Sequence, residues 1–228
     1  MNEPEFNPYA PPKSSLQSDQ ATGDHLSPYL ENLVYPLKFT FRVLTFAPRM
    51  DVVDATGRSV LHARQKLFKF KEHIEIFTDA TQTTKLADIR ADRIIDWSAR
   101  YGFTDNANAC IGAMGRKGWR SLWRANYEVF NPGDLSKDFA IQEENPFAKF
   151  IDGLVGQIPL LGVLTLYLFH PRYLASRTDG ADVLRMHKLP AFLQGKFSIE
   201  RLGETTPRET MNLLLSFIMV TMLERRRG

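Results

Sequence analysis

The stretch from Met211 to Leu223 holds ten apolar side chains among thirteen, interrupted only by Asn212, Ser216 and Thr221. Wound into a helix, it is apolar all round, so it wants burial on every side and not along a single stripe. A start signal stands just upstream. In Thr206-Pro207-Arg208-Glu209 the threonine can accept the Glu209 backbone N–H while the glutamate reaches back, and proline suits the first helical position. Arg225, Arg226 and Arg227 then place three cations at the negative end of the helix dipole. Thirteen residues at about 1.5 Å each reach roughly 20 Å, short of a hydrocarbon core near 30 Å. The container such a helix needs has to come from the rest of the chain.

That container reads as β. From Leu37, the residues Leu37, Phe39, Phe41 and Val43 fall on one face, with Lys38, Thr40 and Arg42 on the other, the period-2 pattern of a half-buried strand. Further on, a hairpin-like unit recurs three times. Asp54-Ala55-Thr56-Gly57 leads into Val60-Leu61-His62-Ala63 and then Ile74-Glu75-Ile76. Ile111-Gly112-Ala113-Met114 is followed by Tyr127-Glu128-Val129, and Asp179-Gly180 by Val183-Leu184-Arg185-Met186 and Phe197-Ser198-Ile199. First and second strands start 14, 16 and 14 residues apart. Even spacing keeps the second apolar face on the side of the first, since side chains alternate across a strand. Lys85 to Arg90 and Trp97 to Phe103 read as further short strands, and many short strands at this spacing indicate a barrel or sandwich.

At 228 residues, 43% hydrophobic, the chain has ample material for one continuous core. A formal charge of +3 does not by itself demand a nucleic-acid partner, so clustering matters more than the total. The single cysteine, Cys110, excludes an internal disulfide framework and fits a reducing, cytoplasmic setting. The acidic, Pro-containing start is not a secretory signal. Residues 1–30 read as a disordered Pro-rich tail and 31–228 as the folded domain. A PxxP spacing within Pro8 to Pro12 makes that tail a candidate for recruiting a protein partner. Gly153 to Phe169 is an uncharged run of seventeen residues, the lower edge for a membrane span, and its Gly153, Gly156, Pro159 and Gly162 equally suit a buried helix or hairpin, or a re-entrant loop on a membrane.

The stretch Gly115-Arg116-Lys117-Gly118-Trp119-Arg120-Ser121-Leu122-Trp123-Arg124, followed by Tyr127-Glu128-Val129-Phe130 and a turn at Asn131-Pro132-Gly133-Asp134, resembles the central hairpin of the LURP-one-related and phospholipid-scramblase-like proteins. The resemblance spans roughly Leu37 to Arg227. It implies the tubby-like fold: a closed antiparallel barrel of twelve strands around a central apolar C-terminal helix. The apolar insert at about 145–172 departs from that family, as does the lack of a cysteine-rich segment and of an acidic calcium-binding stretch. Lipid scrambling is therefore an alternative and not a direct transfer, while a basic lipid-facing patch is the general idea that carries over.

Arg116, Lys117, Trp119, Arg120 and Arg124 are the candidate headgroup-binding residues, cations with an indole among them, as suits an anionic membrane interface. The same composition serves nucleic-acid phosphates, the less favoured partner, or merely a solvated strand edge. Catalytic and metal sites are not expected. His25, His62, His73, His170 and His187 are scattered, Cys110 sits in an apolar stretch, no serine occupies a nucleophile elbow, and Gly112, Gly115 and Gly118 lack the strand-to-helix transition of a phosphate loop. The pair Glu143-Glu144 is expected in a solvated loop. These features make a non-enzymatic module without a cofactor, cytoplasmic or peripheral at the inner face of a membrane, whose expected partner is anionic lipid.

Overall fold

The computed structural model describes residues 27–42, 48–66, 73–91, 100–116, 126–132, 136–144, 171–191 and 194–225. Twelve strands run β1 Leu37–Arg42, β2 Arg49–Val53, β3 Ser59–Gln65, β4 His73–Phe77, β5 Lys85–Ala91, β6 Arg100–Asp105, β7 Cys110–Arg116, β8 Asn126–Phe130, β9 Lys137–Glu143, β10 Arg172–Arg177, β11 Asp182–Leu189 and β12 Gln194–Arg201. Each pairs antiparallel with the next, and β12 returns to β1 with Leu37 opposite Ile199, closing the barrel. Closure leaves no strand edge open to pairing with another chain. Helix α1, Ser27–Leu30, precedes the barrel, and α2, Pro207–Arg225, follows it.

Alternation sets the inward face. Phe41, Met50, Ala63, Ile76 and Ala87 stand directly opposite one another across five strands, and all are buried. Ile74, Ile89, Phe103 and Gly112 form a second such row. Period 2 is broken at β-bulges, where one strand offers an extra residue. The register jumps over Val60, Leu86, Ile111 and Val183, each no more than 2% exposed. The consecutive pairs Val60-Leu61, Leu86-Ala87 and Val183-Leu184 are buried together in this way.

The recurring unit of the sequence occupies β3–β4, β7–β8 and β11–β12, every fourth strand of the ring. Ala63 faces Ile76, Met114 faces Val129 and Met186 faces Ile199 at matching places. Each copy is entered by the same turn. The N–H of Gly57, Asn108 and Gly180 donates to the carbonyl three residues earlier, on Asp54, Asp105 and Arg177, at 3.0 Å. Those three residues have φ of 90°, 62° and 92°, a left-handed backbone that glycine and asparagine adopt at least cost.

Helix α2 begins as its capping box dictates: Glu209 N–H donates to Thr206 Oγ1 at 3.3 Å and Thr206 N–H donates to Glu209 Oε2 at 2.8 Å. Every residue from Thr210 to Met222 is buried. A helix laid on the outside of a sheet keeps one face uncovered; burial all round, and contact with the inward face of β7 at Gly112, place this one within the barrel. The Asn212 side chain fills the space in front of Gly112, and its Nδ2 donates to the Phe130 carbonyl at 3.1 Å. At positions matching Gly112 the other copies carry Leu61 and Leu184, so the helix comes closest where the repeat loses its side chain. Ser216 and Thr221 donate back to the carbonyls of Asn212 and Phe217, which satisfies their hydroxyls without an outside partner.

At the proximal end, where α2 starts, Leu30 is already buried in the core, inside the stretch that composition assigns to the tail. Ala55 N–H donates to the Val34 carbonyl, and Arg58 to the carbonyls of Glu31 and Asn32. A groove of about 260 Å³ lies between this segment and the first turn of α2. The ends of β1, β3, β5, β7, β9 and β11 reach the opposite, distal end. Among the described residues no helix is long and apolar enough to cross a membrane.

Candidate functional site

Charged side chains gather on the outer face of β2 to β5. Register places Arg42, Arg49, Arg64, Glu75 and Asp88 directly opposite one another in a single row. Glu75 and Asp88 are only 7% and 3% exposed, and two carboxylates so placed repel unless compensated. Lys66 Nζ lies 2.7 Å from Glu75 Oε1, and Arg64 donates to Glu75 Oε2 at 2.9 Å. Lys85 Nζ sits between the two acids, 2.8 Å from Asp88 Oδ2 and 3.6 Å from Glu75 Oε1. His73 Nε2 stands 2.5 Å from Asp88 Oδ1, and on the neighbouring strands His62 Nδ1 stands 2.7 Å from Asp51 Oδ1.

These contacts set the acidities. Burial works to raise the Glu75 carboxyl, yet the hydrogen bonds from Lys66 and Arg64 and the nearby charge of Lys85 outweigh it and bring it down to about 2. At Asp88 burial is likewise overcome, by Lys85 and His73, and the pKa falls below the ordinary carboxylate value. The hydrogen bond from His62 is the largest influence lowering Asp51.

His73, Glu75 and Asp88 offer ligand atoms all within 4.8 Å of one another, the spacing of a metal-binding triad. Their oxygens are already engaged by two ammonium groups and two guanidiniums, which neutralise the acids as an ion would. A divalent cation added there would meet four positive side chains. Among the described residues, His62 bonds Asp51 and Gln82, and His73 bonds Asp88, and neither ring is hydrogen-bonded to a hydroxyl or thiol. Burial pushes the half-buried Cys110 thiol up, away from the reactive thiolate. The cluster ties three strands together as a salt-bridged network.

Of the candidate headgroup residues, Arg116 ends β7, while Lys117, Trp119, Arg120 and Arg124 lie outside the described residues, as do the Pro8 to Pro12 stretch and the apolar run Gly153 to Phe169. The strands bracketing the bend end at Arg116 and Asn126, and those bracketing the insert at Glu143 and Arg172; all four positions are at the distal end.

The expected solvated loop at Glu143-Glu144 is corrected. Glu143 closes β9 opposite Tyr173 and is 1% exposed, because the alternation that buries Phe139 and Ile141 continues through it. Glu144 pairs with Arg185 at 3.1 Å. Histidine spacing gave no sign of the outer-face cluster, since one histidine meets two carboxylates there and no second histidine is needed. Its signal was His73-x-Glu75, two positions on one face of a strand, but Asp88 joins them only through register. Comparison of the chain with family models, with curated proteins and with solved structures returned no match.

Proposed function

We propose that this chain is a non-enzymatic tubby-like module, akin to the LURP-one-related and scramblase-like proteins, that associates peripherally with anionic membrane lipid. Its membrane-facing elements are the basic bend from Arg116 to Arg124 and the apolar insert at about 145–172. The observation that carries this reading is the common end of the barrel: both segments spring from strand ends on the distal side. Cations and apolar groups act together at a bilayer only when they meet the same face, the cations drawn to acidic headgroups and the apolar groups to the acyl boundary. A closed twelve-stranded barrel with an enclosed C-terminal helix is the architecture that the kinship calls for.

Vesicle flotation tests it. The full chain is expected to float with phosphatidylcholine vesicles containing phosphatidylserine and to remain behind with phosphatidylcholine alone. Arg116→Ala/Lys117→Ala is expected to weaken the first interaction by about 2 kcal/mol, roughly thirtyfold, at about 1 kcal/mol per cation. Equal recovery of the wild type with both vesicle types would remove the proposal.

A further inference from the structure

Cations stand at both ends of the barrel, Lys38, Lys137 and Arg177 at the proximal one, but the two ends hold their charges differently. At the proximal end the turns hold Asp54, Asp79, Asp105 and Asp179, each accepting backbone N–H groups of its own turn. Toward the distal end the outer faces of β10, β12, β1 and β2 carry Arg172, Lys196, Arg42 and Arg49, and on β11 Lys188, opposite Phe197 on the inner side of the sheet, stands half-buried near the strand end. These strands are consecutive around the ring, so the cations follow an arc. Five strands at about 4.8 Å spacing give that arc a span near 20 Å. All but Lys188 are exposed.

The arc is poorly compensated from within. Arg42, Arg49 and Arg64 stand side by side across three strands, where like charges disfavour pairing. Asp51 offsets Arg42 at 3.2 Å and Glu75 offsets Arg64 at 2.9 Å. Arg49, Arg172, Lys188 and Lys196 make no ion pair among the described residues. Among the described residues at this end, Glu143 is buried and Glu144 is engaged by Arg185.

Asp51 offsets part of this charge, and an external anionic surface would offset the rest. We propose that the Arg172–Lys188–Lys196–Arg42–Arg49 arc makes the distal end of the barrel a docking face for an acidic phospholipid leaflet, on which the barrel stands end-on with its Asp-bearing turns away from the lipid. The inference rests on the membrane reading above and assigns it a face built from the strands themselves. A bilayer fits better than a nucleic acid because the cations are spread over neighbouring strands around the barrel axis and do not run along a single strand.

The test is cosedimentation of the full chain with phosphatidylserine-containing vesicles, leaving Arg116 to Arg124 intact. Arg49→Gln/Arg172→Gln/Lys196→Gln is expected to lower affinity about a hundredfold at about 1 kcal/mol per cation, and to keep the wild-type melting temperature. Lys38→Gln/Lys137→Gln, at the proximal end, is expected to bind as wild type; loss there would show that total charge matters and not a face, and would overturn the proposal. Wild-type binding undiminished in the triple variant would sink the distal face and leave the membrane reading standing. A wild type indifferent to phosphatidylserine would sink both, and preference for an RNA or DNA oligonucleotide over vesicles, lost in the triple variant, would replace the lipid with nucleic acid.

Discussion

Gly112 is the sharpest probe of the enclosed helix. A Cβ built there would sit 2.4 Å from Asn212 Nδ2 and Oδ1 and 2.5 Å from Cγ. Asn212 is 2% exposed, so its side chain has nowhere to swing, and Gly112→Ala must displace either the helix or β7. Overpacking of this kind costs about 1–3 kcal/mol, and losing the Asn212 bond to the Phe130 carbonyl adds about 1 kcal/mol. The expected loss is about 2–4 kcal/mol, read by urea unfolding followed by circular dichroism. Asn212→Ala removes the colliding atoms, so the double variant Gly112→Ala/Asn212→Ala should lose less than the sum of the singles by at least about 1 kcal/mol. Gly102→Ala is the control: its added Cβ meets nothing within 4 Å, and stability should stay within about 0.5 kcal/mol. Additivity of the Gly112 and Asn212 changes within about 0.5 kcal/mol would refute the packing described.

The remaining predictions concern the charge networks. Glu75 titrates at about 2 when folded against an ordinary 4.5, a depression of 4.5 − 2 = 2.5 that corresponds to about 3 kcal/mol of stability. Because the folded value is the lower one, that contribution is present above about pH 4.5 and lost as pH falls through about 2; Glu75→Gln should be less stable at pH 7 and converge on wild type in acid, and an unchanged gap at both extremes would contradict this. Glu209 accepts both Arg177 nitrogens, at 2.6 and 3.1 Å, as well as the Thr206 N–H. Glu209→Ala should cost about 1–3 kcal/mol and speed hydrogen exchange in the first turn of α2, whereas unchanged exchange there would show that the cap is not holding the helix. Adding zinc should leave the melting temperature where it is, since Lys85 already bridges Glu75 and Asp88; a zinc-dependent rise would show coordination by His73, Glu75 and Asp88.

Much of this architecture was written in short-range pattern. The all-round apolarity of Met211 to Leu223, the capping box at Thr206 and the even spacing within the hairpin repeat each follow from residues within a few turns or one hairpin of one another. The polar interruptions were legible as well, although not their purposes: Ser216 and Thr221 bond inward along the helix, whereas Asn212 is the side chain that meets Gly112 across the core.

Tertiary structure alone decided what depends on ring closure and register. Leu37 meets Ile199 only because every intervening hairpin adds its strand in order, and the same closure places β10 to β12 beside β1 and β2 and so assembles the distal cations into an arc. Asp88 reaches His73 and Glu75 through β4–β5 pairing, and Glu143 turns inward because the alternation of Phe139 and Ile141 runs on to the end of β9. A side chain's face can be read from alternation, but its neighbours on that face are set by bulges and by hydrogen-bonded partners far along the chain, which no local periodicity encodes.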